Sequence, residues 1–163
     1  VSNTNTGTVA AINLRTGKVR LIPVESRPQG AAFSPDHSRL YVCNSGASSI
    51  SVIDTAAKTR IGNIPTGEGP VRIAVTADGT TLVYALQTAK AAGFADTRSM
   101  RQIKQLQLPG QPVSMTLSAR QDLAFSSIQA EDKICVISMS KRELERTIMA
   151  PSGSGPDPYL PLP

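Results

Sequence analysis

Tryptophan is absent from the 163 residues, and aromatic residues make up only 4% of them. A core here must therefore be built from Val, Ile, Leu and Ala. A single histidine, His37, leaves zinc, haem and catalytic-triad chemistry without the partners such sites require. In the phrase "PDHS" it reads as an exposed turn residue. Two cysteines, Cys43 and Cys135, stand 92 positions apart. That spacing fits neither a zinc motif nor a redox pair, so they read as buried free thiols acting as small hydrophobes. No apolar run approaches the roughly 20 residues needed to span a membrane, and no basic stretch leads into an apolar one as a signal peptide would. There is no G-x-S-x-G elbow and no Asn-x-Ser/Thr sequon.

What the chain does have is a mild basic excess: 17 Lys plus Arg against 12 Asp plus Glu, a net charge of +5. The positive charges are scattered. The densest groups are Arg98, Arg101 and Lys104, and the mixed run Lys141, Arg142, Glu143, Glu145 and Arg146. No base-stacking aromatics are interleaved with them, so a solvated surface is expected in place of a nucleic-acid site.

Above all, the chain repeats itself. Pro28, Pro70, Pro112 and Pro156 each open a similar phrase, at spacings of 42, 42 and 44 residues. Residues 1–27 match the later part of such a phrase, with Val1-Ser2-Asn3 standing where Val42-Cys43-Asn44 stands and Val9 to Asn13 where Ile50 to Asp54 stands. Each unit holds four short apolar runs. In the first complete unit these are Ala31 to Phe33, Leu40 to Cys43, Ile50 to Ile53 and Arg60 to Ile64. Short aliphatic runs broken by Gly, Pro, Asn, Asp and Ser read as strands. Asp36 and Asp78 sit where a carboxylate can bond the backbone two residues on, and Gly79 can adopt a positive φ. No stretch carries helical periodicity over three turns, and the 12 glycines and 12 prolines recur too often for long helices. "YVCN", "SVID" and "CVIS" are apolar on both sides. This suits a sheet sandwiched between two neighbours, which is stable only when the unit repeats.

The predicted fold is all-β: a β-propeller of four-stranded antiparallel blades of about 42 residues. Residues 1–27 form a partial blade, residues 28–69, 70–111 and 112–155 three blades, and residues 156–163 the start of the next or a closing strand. Three arrangements remain open: a portion of a longer propeller, a four-blade ring closed by the tail "PDPYLPLP", and two chains completing one ring. The open blade faces would permit self-association.

"LYVCNSGASSISVIDTAAKTRIGNIPTGEGP" resembles the YVTN family of propeller repeats. Pro35, Asp36, Tyr41, Val42, Asn44, Val52, Ile53, Asp54, Thr55 and Gly67 match the family pattern, while Cys43 replaces its Thr and His37 its Gly. The second unit keeps Asp78, Gly79, Asp96 and Thr97, and the third has drifted further. The resemblance implies a secreted, periplasmic or surface-exposed protein, often a binding or surface-layer component. Similar propellers form parts of redox-cofactor enzymes and, more distantly, lactonases.

No catalytic, cofactor-binding or metal-binding residues are predicted. Asp36, Asp54 and Asp78 recur at repeat positions, which favours turn structure over an acid/base pair. "GEGP", Gly67 to Pro70, reads as a linker between blades and "SGSG", Ser152 to Gly155, as a loop; neither reads as a phosphate cradle. The expected function is a non-catalytic scaffold that presents loops to a protein or cell-surface component outside the cytoplasm. The alternative is the propeller portion of a redox or lactonase-like enzyme.

Overall fold

A computed structural model describes residues 1–156; of the expected next-blade or closing segment 156–163, residues 157–163 lie outside the described residues. The described chain folds into four antiparallel sheets in sequence order. The first holds β1 (Ser2–Asn3), β2 (Thr8–Ile12) and β3 (Val19–Pro23). The second holds β4 (Pro28–Phe33), β5 (Arg39–Asn44), β6 (Ser49–Asp54) and β7 (Thr59–Pro65). The third holds β8 (Pro70–Val75), β9 (Thr81–Leu86), β10 (Ala91–Asp96) and β11 (Arg101–Gln107). The fourth holds β12 (Thr116–Leu117), β13 (Leu123–Ile128), β14 (Lys133–Ser138) and β15 (Glu143–Met149). Among the described residues the only helical turn is a 3₁₀ turn at Gln129–Glu131. Each strand pairs with the next, so the four-strand reading of the repeat holds in every complete unit.

The innermost strands touch in succession: β1 meets β4, β4 meets β8, and β8 meets β12. The outer strands β3, β7 and β11 also approach one another in turn. The sheets therefore follow one another in a propeller-like arc. At the contact between β4 and β8, a Cβ on Gly30 would stand 2.5 Å from the Val71 carbonyl oxygen. Only a residue without a side chain allows these two inner strands to approach so closely.

Packing between sheets explains why the central strands are apolar on both sides. Tyr41, Cys43, Ile50 and Val52 face the third sheet, where Ile73, Leu82, Tyr84 and Leu86 meet them. Val42 and Ile53 turn the other way, onto Val9 and Ile22 of the first sheet. The third and fourth sheets meet through Val83, Ala92, Phe94, Ala124, Ile128, Cys135 and Ile137. Adjacent residues thus serve different interfaces: Val52 is 0% exposed in one cluster and Ile53 1% in another. Side chains alternate across the strand as the pleat dictates, but both sides are core.

Two features differ from the four equal runs read from sequence. Between the third and fourth strands of each complete sheet the register shifts at an equivalent place: Val52/Ile53, Phe94/Ala95 and Val136/Ile137. The extra residues are Ile61, Ile103 and Glu145, and such bulges increase local twist. The first strand of the fourth sheet is also cut to two residues. There Ser114 Oγ accepts the Ser127 N–H at 2.9 Å, and Ser126 Oγ donates to the Ser114 carbonyl at 2.7 Å. Side-chain hydroxyls take over bonds that a ladder would otherwise make.

Replacing either neighbour by a carboxylate tests this packing. Val52→Asp and Ile53→Asp are both expected to cost several kcal/mol, because each buries an unpaired charge. Ile61→Asp, at a bulge position that is 48% exposed, is expected to change stability by no more than about 0.5 kcal/mol. Urea unfolding of the three variants checks this; one of the first pair behaving like Ile61→Asp would contradict the two-faced burial.

Candidate functional site

The connections between first and second strands and those between third and fourth strands cluster at one end of the sheets, and their local chemistry repeats. In the second sheet, Ser34 Oγ donates to Asp36 Oδ1 at 2.5 Å, the Ser38 N–H donates to the same oxygen at 3.0 Å, and Ser38 Oγ donates to Asp36 Oδ2 at 2.8 Å. In the third sheet, Thr76, Asp78 and Thr80 reproduce all three bonds at 2.5, 3.0 and 2.8 Å. The turn then anchors its neighbour, since Thr97 Oγ1 donates to the Gly79 carbonyl at 2.7 Å, as Thr55 Oγ1 does to the His37 carbonyl at 2.7 Å. The fourth sheet has no Asp at the equivalent position. Asp122 serves instead, accepting from Ser118 Oγ at 2.7 Å. Asp54 and Asp96 close the other set of turns, accepting from the N–H groups of Ala57 and Ser99, both at 2.7 Å.

The bonds to Asp36, Asp78 and Asp96 stabilise their ionised forms. Asp36 is lowered to about 2, chiefly by the Ser34 hydroxyl and then by the Ser38 N–H and hydroxyl. Asp78 is lowered by Thr76 and Thr80, and Asp96 by Ser99. Asp36, Asp78 and Asp96 are therefore anions that close turns. His37 is exposed with φ 57°, and its ring meets Phe33 edge-on at 5.9 Å.

Between the turns of adjacent sheets lie shallow recesses. One of about 450 Å³ is lined by Ser34, Asp36, Arg39, Tyr41, Asp78 and Thr97. The next, of about 410 Å³, is lined by Thr76, Asp78, Ala119, Arg120 and Gln121. Exposed Lys58, Arg98 and Arg120 project from the same end.

The opposite end holds a polar network that sequence reading missed. Ser49 Oγ and Asn63 Nδ2 each donate to Glu25 at 2.5 Å. Arg60 pairs with the same carboxylate at 3.4 Å. Ser51 Oγ donates to Asn63 Oδ1 at 3.1 Å, and Asn44 Nδ2 donates to both Ser49 Oγ and Ser51 Oγ, at 3.1 and 2.9 Å. Ser49 and Asn63 donate to Glu25 directly, and Asn44 and Ser51 reach it only through them; the buried Asn44 Oδ1 has no partner among the described residues. The signal was Asn44, Ser49 and Ser51 interrupting otherwise apolar strands. Their shared face shows only once β5 and β6 are in register.

The glycine-rich loops also find their place. Gly67 and Gly69 connect the second and third sheets, with the Gly67 N–H donating to Gln102 Oε1 at 3.1 Å. In "SGSG" the N–H groups of Gly153 and Gly155 point to the Asp132 carboxylate at 2.7 and 3.0 Å. The anion in that backbone cradle is the chain's own. Both cysteines are free and buried, in different interfaces. Burial pushes the Cys135 thiol up to about 11 and the Cys43 thiol higher still.

No family model matches the chain, and no curated protein sequence matches it. Among solved structures it is similar to Kuenenia stuttgartiensis hydrazine synthase, at 25% identity and a TM-score of 0.83 over 90% of this chain. It is also similar to the dihydro-heme d1 dehydrogenase NirN in complex with DHE, at 16% identity and TM-score 0.71 over 93% of the chain. A third likeness is to a functionally unknown protein from Desulfotomaculum acetoxidans DSM 771, at 18% identity and TM-score 0.74 over 89% of the chain. The chain spans 44%, 34% and 51% of those structures respectively. The last two likenesses bear on fold alone, and all three agree with a propeller-like architecture.

Because Asp36 titrates lower when folded than when unfolded, its contribution to stability is complete above about pH 4 and fades as pH falls toward 2. Asp36→Asn is expected to remove that part of the acid dependence. Melting temperatures of the two proteins should converge between pH 4 and pH 2; a constant gap across that range would contradict the role given to the carboxylate. The thiols are expected to react with a disulfide reagent orders of magnitude more slowly in the native chain than in urea, which absorbance of the released thiol measures directly.

Proposed function

We propose that the chain is a β-propeller scaffold of the YVTN-like kind, located outside the cytoplasm, whose loop-bearing end binds a protein or cell-surface component. One observation carries this reading. The recurring Asp, Ser and Thr groups at that end are spent on closing turns, while Lys58, Arg98 and Arg120 are exposed at the surface. Such an end offers shape and charge for recognition, with its carboxylates already committed to structure. Electrostatic complementarity of this kind steers encounter and sets specificity more than raw affinity.

A second reading is favoured by the likeness to hydrazine synthase at 25% identity over 90% of this chain. On that reading the chain is the propeller portion of a larger redox enzyme and frames a cofactor-bearing part.

Capture on the immobilised chain separates the two. A partner retained by wild type and lost from the double variant Arg98→Glu, Arg120→Glu is the expected result. Equal retention by both, or a stoichiometric chromophore absorbing in the visible that accompanies the full-length protein, would overturn the scaffold reading.

A further inference from the structure

Basic residues that are scattered along the sequence are gathered by the fold onto the outermost strands. The first sheet places Arg15, Lys18 and Arg20 on β3 and the turn before it. The second places Lys58 and Arg60 on β7 and its turn, and the third Arg98, Arg101 and Lys104 on β11 and its turn. All of these side chains are exposed. Because β3 approaches β7 and β7 approaches β11, they form one stripe around the outer side of the arc. The acidic residues in the same segments are Asp54 and Asp96, and each accepts an N–H of its own turn at 2.7 Å. Among the described residues the one ion pair in the stripe is that of Arg60 with Glu25, at 3.4 Å.

An outermost strand leaves one row of backbone groups unpaired, and charge along it deters pairing with other chains. Either sign serves that purpose. The fourth sheet uses both: Glu143, Glu145 and Arg146 lie on β15, and Arg146 approaches Glu145 at 3.8 Å. Edge protection therefore accounts for β15 but leaves the single sign of the first three outer strands unexplained. Aliphatic side chains are interleaved with the stripe. Val19 and Leu21 flank Arg20 and are exposed, and the bulge residues Ile61 and Ile103, 48% and 41% exposed, adjoin Arg60 and Lys104.

We propose that this stripe binds an acidic polypeptide segment in which carboxylates alternate with aliphatic side chains. Its carboxylates would meet the Lys and Arg groups, and its aliphatic side chains would cover Val19, Leu21, Ile61 and Ile103. Charge complementarity of this kind steers encounter and excludes basic competitors. The chemistry favours a polypeptide over other polyanions. A phosphate backbone offers no contact to the aliphatic residues, and these strands and turns carry no aromatic side chain on which a base could stack. A membrane is nearly flat, whereas the stripe follows the outer side of three successive sheets, a path that a flexible chain can trace. The proposal rests on the reading of the loop-bearing end as a recognition surface, because Lys58 and Arg98 belong to both. It adds the partner's chemistry and its course along the rim.

The test titrates the full chain with a fluorescent synthetic peptide of four Glu-Leu-Glu-Gly repeats. Saturable binding is expected at low salt, weakening steeply as sodium chloride is raised. Lys18→Glu combined with Lys104→Glu should weaken it about tenfold, each reversal contributing a few-fold. Arg27→Glu combined with Lys90→Glu makes the same change of net charge at the opposite end and should leave binding within about twofold of wild type. All four side chains are exposed, so melting temperatures should stay within a few degrees of wild type. Ile103→Ser should weaken binding of this peptide and leave unchanged that of one with Gly in place of each Leu. Absence of saturable binding, equal weakening by the two pairs, or tighter binding of duplex DNA or anionic vesicles to the same stripe would overturn the proposal. If Arg98→Glu with Arg120→Glu loses its captured partner while Lys18→Glu with Lys104→Glu binds the peptide as wild type does, the recognition end stands and this inference falls.

Discussion

Everything in this molecule depends on burial of the middle strands from both sides. β6 gives Ile50 and Val52 to one interface and Ile53 to the other, and β10 gives Ala91 and Ala95 to one and Ala92 and Phe94 to the other. A sheet of about 40 residues could not fold alone, since a separated sheet would expose two apolar faces at once. Stability therefore belongs to pairs of neighbouring sheets. Single-face departures from the pattern, such as the Asn44, Ser49 and Ser51 group, are held by a polar network that ends on Glu25, with only the Asn44 Oδ1 left unpartnered among the described residues.

Stacking identical units imposes a second constraint, visible in the backbone. Left-handed conformations occur at His37, Gly79 and Gln121, at Gly7, Ser48, Lys90 and Asp132, and at Gly17, Lys58, Met100 and Arg142. Within each set the residues are equivalent by repeat position. Most are not glycine, although a side chain there costs on the order of 1 kcal/mol. The turn geometry is fixed by the strands it joins and by the Asp and Ser/Thr bonds across it, so the residue at the strained position complies.

That explains which parts of the structure were legible from sequence. The strands were, because their apolar runs recur and because Val52 and Ile53 are adjacent and both aliphatic. The Asp36 and Asp78 turns were, since the bonding pattern is local. The bulges at Ile61, Ile103 and Glu145 were not, because an extra residue in an outer strand leaves no mark in composition. Nor was the Glu25 network, whose members lie 19 to 38 residues from the carboxylate and meet only through register. Asp122 taking over for a turn Asp at a shifted position was hidden for the opposite reason: drift of the third unit had removed the expected residue. The candidate surface lies outside the repeated pattern, in loop charges, where periodicity carries no information.

The central claim is that neighbouring sheets are one cooperative unit because they share faces. Native-state hydrogen exchange on the amides of β6 and β10 measures this most directly. The account predicts the same opening free energy for both strands, and the same decrease in both when Tyr84, which lies in their shared interface, is cut back to Ala. Distinct opening energies for β6 and β10, or a decrease confined to the third sheet, would show that the sheets are held together mainly from within and would contradict it.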